Sequence, residues 1–118
     1  MNKRYVGSYY ENVAEEFLKK KGYIILDKNY RCRFGEIDII CKDNNELVFV
    51  EVIYRSSLKY GEPAEAVTMT KQRKICKTAS YYVMSKGYGE DIRFRFDVIG
   101  IIGGDTIGHF ENAFEYII

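Results

Sequence analysis

The sequence predicts a single α/β domain spanning residues 1–118: a mixed sheet flanked by helices, with its elements in the order αβββαβ. Three observations predict it. Two segments, one following Ser8 and one from 64 to about 86, carry apolar residues at helical spacing. Between them lie aromatic and β-branched runs separated only by turn residues, the pattern of an antiparallel meander. A further alternating run, 92–102, follows the second helix, and elements in that order pack as a sheet covered by helices. The 118 residues are enough for one domain with a real core, and 47% hydrophobic with 30% charged residues is an ordinary soluble balance.

The first helix is expected to begin at Ser8, an N-cap with Glu11 three residues on, as in a capping box. Val13, Ala14, Phe17 and Leu18 form its apolar stripe. Lys19, Lys20 and Lys21 suit the negative end of the helix dipole, and Gly22 is the natural stop. Tyr23-Ile24-Ile25-Leu26 reads as a strand, Asp27-Lys28-Asn29 interrupts it, and 30–34 can continue it. Gly35 marks a turn or bulge before the strand 36–41. Lys42-Asp43-Asn44-Asn45 is a turn, and 46–54 is the next strand. A polar loop, 55–62, leads to Pro63, which suits the first turn of a helix. That helix carries Ala66, Val67, Ile75, Ala79, Tyr82 and Val83 on its apolar face, and Gly87 and Gly89 end it. The strand 92–102 alternates at Phe94, Phe96 and Val98. Gly103-Gly104-Asp105 then turns the chain, and 106–118 is a weak final strand or extended tail.

Composition narrows the function classes. One Pro and ten Gly, with no low-complexity segment, leave no room for a disordered linker. A formal net charge of +1 does not announce a nucleic-acid partner, so any basic face must come from local clustering. The three cysteines, Cys32, Cys41 and Cys76, form no CxxC pair, which argues against zinc and for free thiols in a reducing cytoplasm. The N-terminus lacks the apolar core of a signal peptide, and no apolar run approaches membrane-spanning length. A cytoplasmic protein without a membrane partner is the expectation.

Two acids interrupt the β pattern. Gly35-Glu36-Ile37-Asp38-Ile39-Ile40 and Leu47-Val48-Phe49-Val50-Glu51-Val52 each place a carboxylate inside an apolar run. Strand interiors disfavour Asp and Glu, and buried charge is costly unless paired or bound to metal. Asp38 and Glu51 lie across one hairpin and can share a hard divalent cation such as Mg²⁺ or Mn²⁺, which takes oxygen ligands and completes its shell with water and phosphate. The Val52 carbonyl could add a third oxygen, and Glu11 could complete the site if the first helix packs beside it. Glu36 shares the parity of Asp38. The alternative is open at this point: Asp38 and Glu51 can equally pair with Lys or Arg across a wet sheet face, and Glu11 can be a capping residue.

The chain resembles the YraN family, small uncharacterised bacterial proteins placed in the restriction-endonuclease-like superfamily. The resemblance is carried by Gly7, Glu11 and Ala14, by Asn29-Tyr30-Arg31-Cys32-Arg33-Phe34-Gly35-Glu36-Ile37-Asp38, and by Phe49-Val50-Glu51-Val52. It continues through Arg55-Ser56-Ser57, Pro63, Glu65-Ala66-Val67, Lys71, Arg95-Phe96-Asp97-Val98, His109 and Asn112-Ala113-Phe114. It implies an αβββαβ nuclease-like core related in fold to archaeal Holliday-junction resolvases. In that superfamily an Asp is followed by Glu-x-Lys on the next strand, often with a Glu from the first helix. By position these are Asp38, Glu51 and Glu11, as catalytic and metal-binding residues. The lysine position holds Ile53, which neither carries charge nor hydrogen-bonds. Impaired or absent cleavage follows, unless Lys71 or Lys59 reaches the same point.

Arg31 and Arg33 alternate and are expected to face one side; Lys71, Arg73, Lys74 and Lys77 cluster on the second helix, and Arg55 and Lys59 lie in the loop. Arg31, Arg33, Arg55, Lys71 and Arg73 could line a groove around the acids and contact phosphates, with Tyr54 and Tyr60 as base-stacking candidates. Helical Lys and Arg are equally able to form a solvated face. Gln72 could touch a phosphate or serve at the surface. His109, the only histidine, reads as a structural hydrogen-bonder, and Asp97 as a salt-bridge partner of Arg95. The expectation is therefore a metal-dependent endonuclease-like domain binding DNA, branched or single-stranded, with a homodimer plausible because branched-DNA nucleases need two sites. The alternative is a non-catalytic nucleic-acid-binding or protein-interaction domain on the same fold.

Overall fold

The computed structural model describes residues 3–59, 61–104 and 106–117, with side chains from Ser8 onward. Tyr60 and Asp105, expected in a stacking role and in a turn, lie outside the described residues. The first helix, α1, is Lys3–Lys20 and buries Ala14 and Leu18 completely. It already runs through Ser8, so the expected N-cap and its capping box with Glu11 do not form. Gly22, at φ +95°, ends the turn after α1, where a left-handed backbone favours glycine.

Three strands follow: β1 (Ile24–Cys32), β2 (Gly35–Asp43) and β3 (Glu46–Arg55). β1 is one strand where the sequence suggests two pieces. The polar interruption is absorbed by a register shift between Ile25 and Asp27 and by Asn29 at φ +54°, a conformation Asn tolerates. The strand expected to continue to Phe34 stops at Cys32, and Arg33 with Phe34 forms the two-residue turn into β2. β1, β2 and β3 pair antiparallel, as the meander requires.

The single helix expected from 64 to 86 is two pieces. Pro63–Ala66 is a short 3₁₀ turn, and α2 runs from Met69 to Ser85. Thr68 caps α2: its Oγ1 accepts from the Lys71 N–H at 3.2 Å. Pro63 and its turn sit close against the sheet, and the side chain of an extended Thr68 supplies a better start than Pro63. α2 crosses over to β4 (Arg93–Ile102), which runs parallel to β3. The segment expected as a weak strand or tail is β5 (Thr106–Phe114), antiparallel to β4.

The result is one five-stranded mixed sheet in the order β1-β2-β3-β4-β5 with a helix on each face, a single α/β domain built on the αβββαβ order. Alternation along β3 divides the core. Leu47, Phe49 and Ile53 pack toward Ile75, Cys76, Ala79 and Tyr82 of α2. Val48 and Val50 pack with Ala14 and Leu18 of α1. Burying seventeen Leu, Ile, Val, Phe and Tyr side chains among the described residues at roughly 1.5–3 kcal/mol each is the main stabilising term. No helix among the described residues is long and apolar enough to cross a membrane.

Candidate functional site

β2 and β3 pair from Asp43 with Glu46, at their turn, to Ile39 with Val50, and there the ladder stops. The next residues on the two strands are Asp38 and Glu51. The Val52 N–H, released from the ladder, donates to Asp38 Oδ2 at 2.8 Å. β2 continues along β1 while β3 continues along β4, so the two strands part at the acids. The gap opens a cleft of about 610 Å³, lined by Glu36, Asp38, Glu51 and Val52 from the strands and by Thr68, Thr70, Lys71 and Lys74 from the start of α2.

Glu51 is 5% exposed. Its Oε2 lies 3.3 Å from Lys71 Nζ, and its Oε1 is buried with no hydrogen-bond partner among the described residues. Burial, and then the charge of Asp38, push the Glu51 carboxyl well above the carboxylate range, against the pull of Lys71. Asp38 is lifted by burial too, opposed by the Val52 N–H and reinforced by the charge of Glu11. Asp38 and Glu51 are thus two carboxyls in one cleft, each raised chiefly by burial, with the charge of Asp38 adding to the shift of Glu51.

The donor set fits a hard divalent ion such as Mg²⁺ or Mn²⁺. Glu51 Oε1 is a buried oxygen with no partner among the described residues, Asp38 lines the same cleft, and in an extended strand N–H and C=O of one residue point to the same side, which puts the Val52 carbonyl on the Asp38 side. Among the described residues no three of Asp, Glu, His and Cys gather in metal-holding geometry, so water and phosphate oxygens would supply the remaining positions. Glu11, half-buried on α1, acts on Asp38 through its charge but does not line the cleft.

Ile53 sits two residues beyond Glu51 on the same strand face and is packed in the α2-side core at 8% exposure. The ammonium beside Glu51 comes instead from the opposite wall, where the Thr68 cap fixes the first turn of α2 and with it Lys71. Thr68, Thr70 and the cap were not singled out by the sequence reading. Thr68 followed by Lys71 and the apolar Ile75 is the pattern that could have shown them, had Pro63 not suggested an earlier start.

The other basic residues separate. Lys74 lines the cleft with Lys71. Arg31 pairs with Glu36 at 3.4 Å on the surface. Arg33 does not alternate with Arg31 on a strand face; it stands in the turn, its guanidinium 4.8 Å from the centre of the Phe34 ring. Arg55 Nη1 donates to the Tyr54 carbonyl at 3.1 Å, and Arg73 is exposed outside the cleft lining. Tyr54 stacks on Tyr10 of α1, ring centres 4.1 Å apart. Gln72 Nε2 donates to the Val67 carbonyl at 3.0 Å and so closes the bend before α2.

Asp97 and His109 belong to a separate buried network. Asp97 accepts from Arg95 Nε at 3.0 Å, the Asn112 N–H at 2.9 Å and His109 Nε2 at 2.7 Å. Lys21 Nζ is 2.8 Å from His109 Nδ1, and since an ammonium only donates, Nδ1 accepts and Nε2–H donates. Arg95 also reaches Asp43 and Glu46, tying β4 to the β2–β3 turn. Asp97 makes the salt bridge to Arg95, and His109 the hydrogen bonds, that their sequence context suggests.

Comparison with known proteins gives the chain its relatives. Residues 10–101 match the model of the uncharacterised protein family UPF0102. A UPF0102 protein of Clostridium botulinum (strain Kyoto / Type A2) is 53% identical over 115 residues, covering 93% of this chain and 94% of the relative. Another from Clostridium botulinum (strain Loch Maree / Type A3) is 52% identical over the same coverage. One from Caldicellulosiruptor saccharolyticus is 52% identical over 101 residues, 86% of this chain and 85% of the relative. The chain therefore belongs to the uncharacterised protein family UPF0102, the YraN family that its motifs resemble.

Proposed function

We propose that this protein is a divalent-metal-dependent endonuclease-like domain acting on DNA, with Asp38 and Glu51 as the metal-holding pair and Lys71 in the role of the lysine that Ile53 displaces. The observation that carries the reading is the buried carboxylate pair where β2 and β3 part, with one Glu51 oxygen lacking a partner among the described residues and the other 3.3 Å from Lys71.

A bound Mg²⁺ or Mn²⁺ would polarise the scissile phosphate and lower the pKa of the attacking water. The residues of the chain do the rest. Asp38 is oriented by the Val52 N–H, which keeps one oxygen directed toward β3. Glu51 is held in the strand wall with no freedom to turn to solvent. Lys71, half-exposed, can leave Glu51 for a phosphate oxygen or for the attacking water, offsetting the charge that builds up during transfer. Lys74, a turn further along α2, lines the same cleft and can neutralise a neighbouring phosphate.

The test is cleavage of labelled branched and single-stranded DNA with Mg²⁺ or Mn²⁺ by the unmodified chain, Asp38→Ala, Lys71→Met and Ile53→Lys. The unmodified chain is expected to cut, Asp38→Ala to be inactive, and Lys71→Met to lose on the order of 10²–10³ in rate. The buried Ile53 supports a second reading, a DNA-binding domain that does not cut. Silence of the unmodified chain beside a cutting Ile53→Lys would establish that reading and defeat the first.

A further inference from the structure

The cleft at the acids is not the end of the concave surface along α2. The β1–β2 turn lies directly on this helix: a Cβ on Gly35 would stand 3.1 Å from Thr78 Oγ1 and 3.7 Å from Lys74 Cβ. Gly35 and Lys74 line the acid cleft. On the other side of that contact a second groove of about 410 Å³ opens, lined by Arg33, Phe34, Lys77, Tyr81, Met84 and Tyr116 among others. Thr70, Lys74, Lys77, Tyr81 and Met84 recur at spacings of three and four residues, so both cavities share one face of α2. From Thr70 to Met84 the helix rises about 21 Å.

The two ends of this lane differ in chemistry. The acid cleft is polar. The groove presents aromatic rings, with two cations at its rim and no carboxylate among the described residues that line it. Phe34 and Tyr81 stand edge to face at 6.1 Å, and Arg33 lies over Phe34. Tyr116 is exposed yet fixed: its hydroxyl is 2.8 Å from Ser80 Oγ, its ring meets Phe94 at 5.6 Å, and the Ile117 N–H donates to Cys76 Sγ at 3.4 Å. Rings held in place for an exposed contact are what a stacking platform requires, because little ordering remains to be done on binding. Met84, also exposed, adds a soft apolar wall.

We propose that this groove holds an unpaired nucleobase and its phosphate, so that a single strand of nucleic acid runs along α2 from the acid pair to Tyr116. The base stacks on Phe34, Tyr81 or Tyr116, and Arg33 and Lys77 take the phosphate. A duplex keeps its bases stacked inside and offers this groove nothing to receive. The proposal rests on the reading of the protein as a DNA-acting domain and narrows it to substrates with a single-stranded arm.

The experiment is metal-free fluorescence anisotropy with a short labelled oligothymidine in EDTA, beside a blunt duplex of equal length. The unmodified chain is expected to prefer the single strand. Phe34→Ala and Tyr81→Ala each weaken that binding about tenfold, the scale of losing one base–aromatic stack. Lys77→Glu, at an exposed position that folding does not need, weakens it and lowers the dependence of binding on salt by about one phosphate contact. Equal affinity of the unmodified chain and these variants, with unchanged thermal unfolding, would overturn the proposal. So would tighter binding of thymidine monophosphate than of the oligonucleotide, which would make the groove a nucleotide pocket. Metal-free binding does not depend on cleavage. Loss of cutting with groove binding intact defeats only the catalytic reading, and the reverse defeats only the groove.

Discussion

At the scale of single residues, Glu51 and Asp97 are buried acids with opposite accounts. Burial, and then the charge of Asp38, lift Glu51 to about 8 against the pull of Lys71. A carboxyl raised in the folded state contributes stability that is whole below the ordinary carboxylate range and is lost as pH rises through its folded value. The protein is therefore expected to lose stability between about pH 5 and 8, and Glu51→Gln to remove much of that slope and to unfold later than the unmodified chain at pH 8.5, by about 1–3 kcal/mol in urea titrations. An unchanged slope in Glu51→Gln would show that the carboxylate is already ionised and paired. Asp97 is fully buried, which by itself would raise it, but hydrogen bonds from His109, Arg95 and the Asn112 N–H hold it below the carboxylate range. Its contribution is present above that range and lost as pH falls through the lowered value. Asp97→Asn leaves the Arg95 guanidinium, 12% exposed, with Glu46 and Asp43 alone and removes the charge that accepts from His109 and the Asn112 N–H, and a loss of about 1.5–3 kcal/mol is expected in chemical denaturation at pH 7.

At the scale of elements, the site depends on how the chain enters α2. Pro63 packs against β4 so closely that a Cβ on Gly100 would lie 2.5 Å from Pro63 Cγ and 2.7 Å from its Cβ. Gly100→Ala must move the 3₁₀ turn, and with it the Thr68 cap and Lys71. The expected cost is about 1–3 kcal/mol in thermal or urea unfolding. A second effect is expected on the site, since Lys71 loses its place beside Glu51: binding of Mn²⁺, read by calorimetry, changes in Gly100→Ala although no ligand has been touched. A conservative change at the far end of α2, such as Ser85→Ala, is expected to leave Mn²⁺ binding as it was. Equal Mn²⁺ affinity in Gly100→Ala and the unmodified chain would separate the 3₁₀ turn from the site.

For the whole molecule, the near-neutral balance hides an uneven surface. Lys19 and Lys28 pair with Glu15, Lys21 lies near Glu111, and Arg95 is absorbed by Asp43, Glu46 and Asp97. Lys74 and Lys77 remain along α2, with Arg33 at the turn beside them. A chain of net charge +1 can in this way present one basic lane without being a basic protein. Metal linkage is the whole-molecule test of the acid pair. Mn²⁺ at about 100 times its dissociation constant is expected to add roughly 2.7 kcal/mol of stability, a rise in Tm of about 11 °C for a domain of this size. Asp38→Ala is expected to show no rise; an equal rise in that variant would place the ion elsewhere.

Much of this was legible in the amino-acid order. Ile53 is an ordinary apolar strand residue that only the family resemblance marks as a departure, whereas the period of the apolar residues located both helices and the strands, turn residues separated the meander, and Asp38 and Glu51 stood out as carboxylates in an apolar pattern. These features depend on neighbours in the chain, which is why local spacing reveals them. The expected starts of α1 and α2 rest on local signals, a capping residue at Ser8 and a first-turn residue at Pro63, whereas packing against the sheet decides how far a helix extends. Only the tertiary structure decided that the β2–β3 ladder ends at the acids, that Arg33 turns away from Arg31 toward α2, and that Lys71 meets Glu51 across the cleft. The physical reason is that these are contacts between elements: they are set by where α2 settles on the sheet, a balance of buried area and strand pairing that no short stretch of sequence contains.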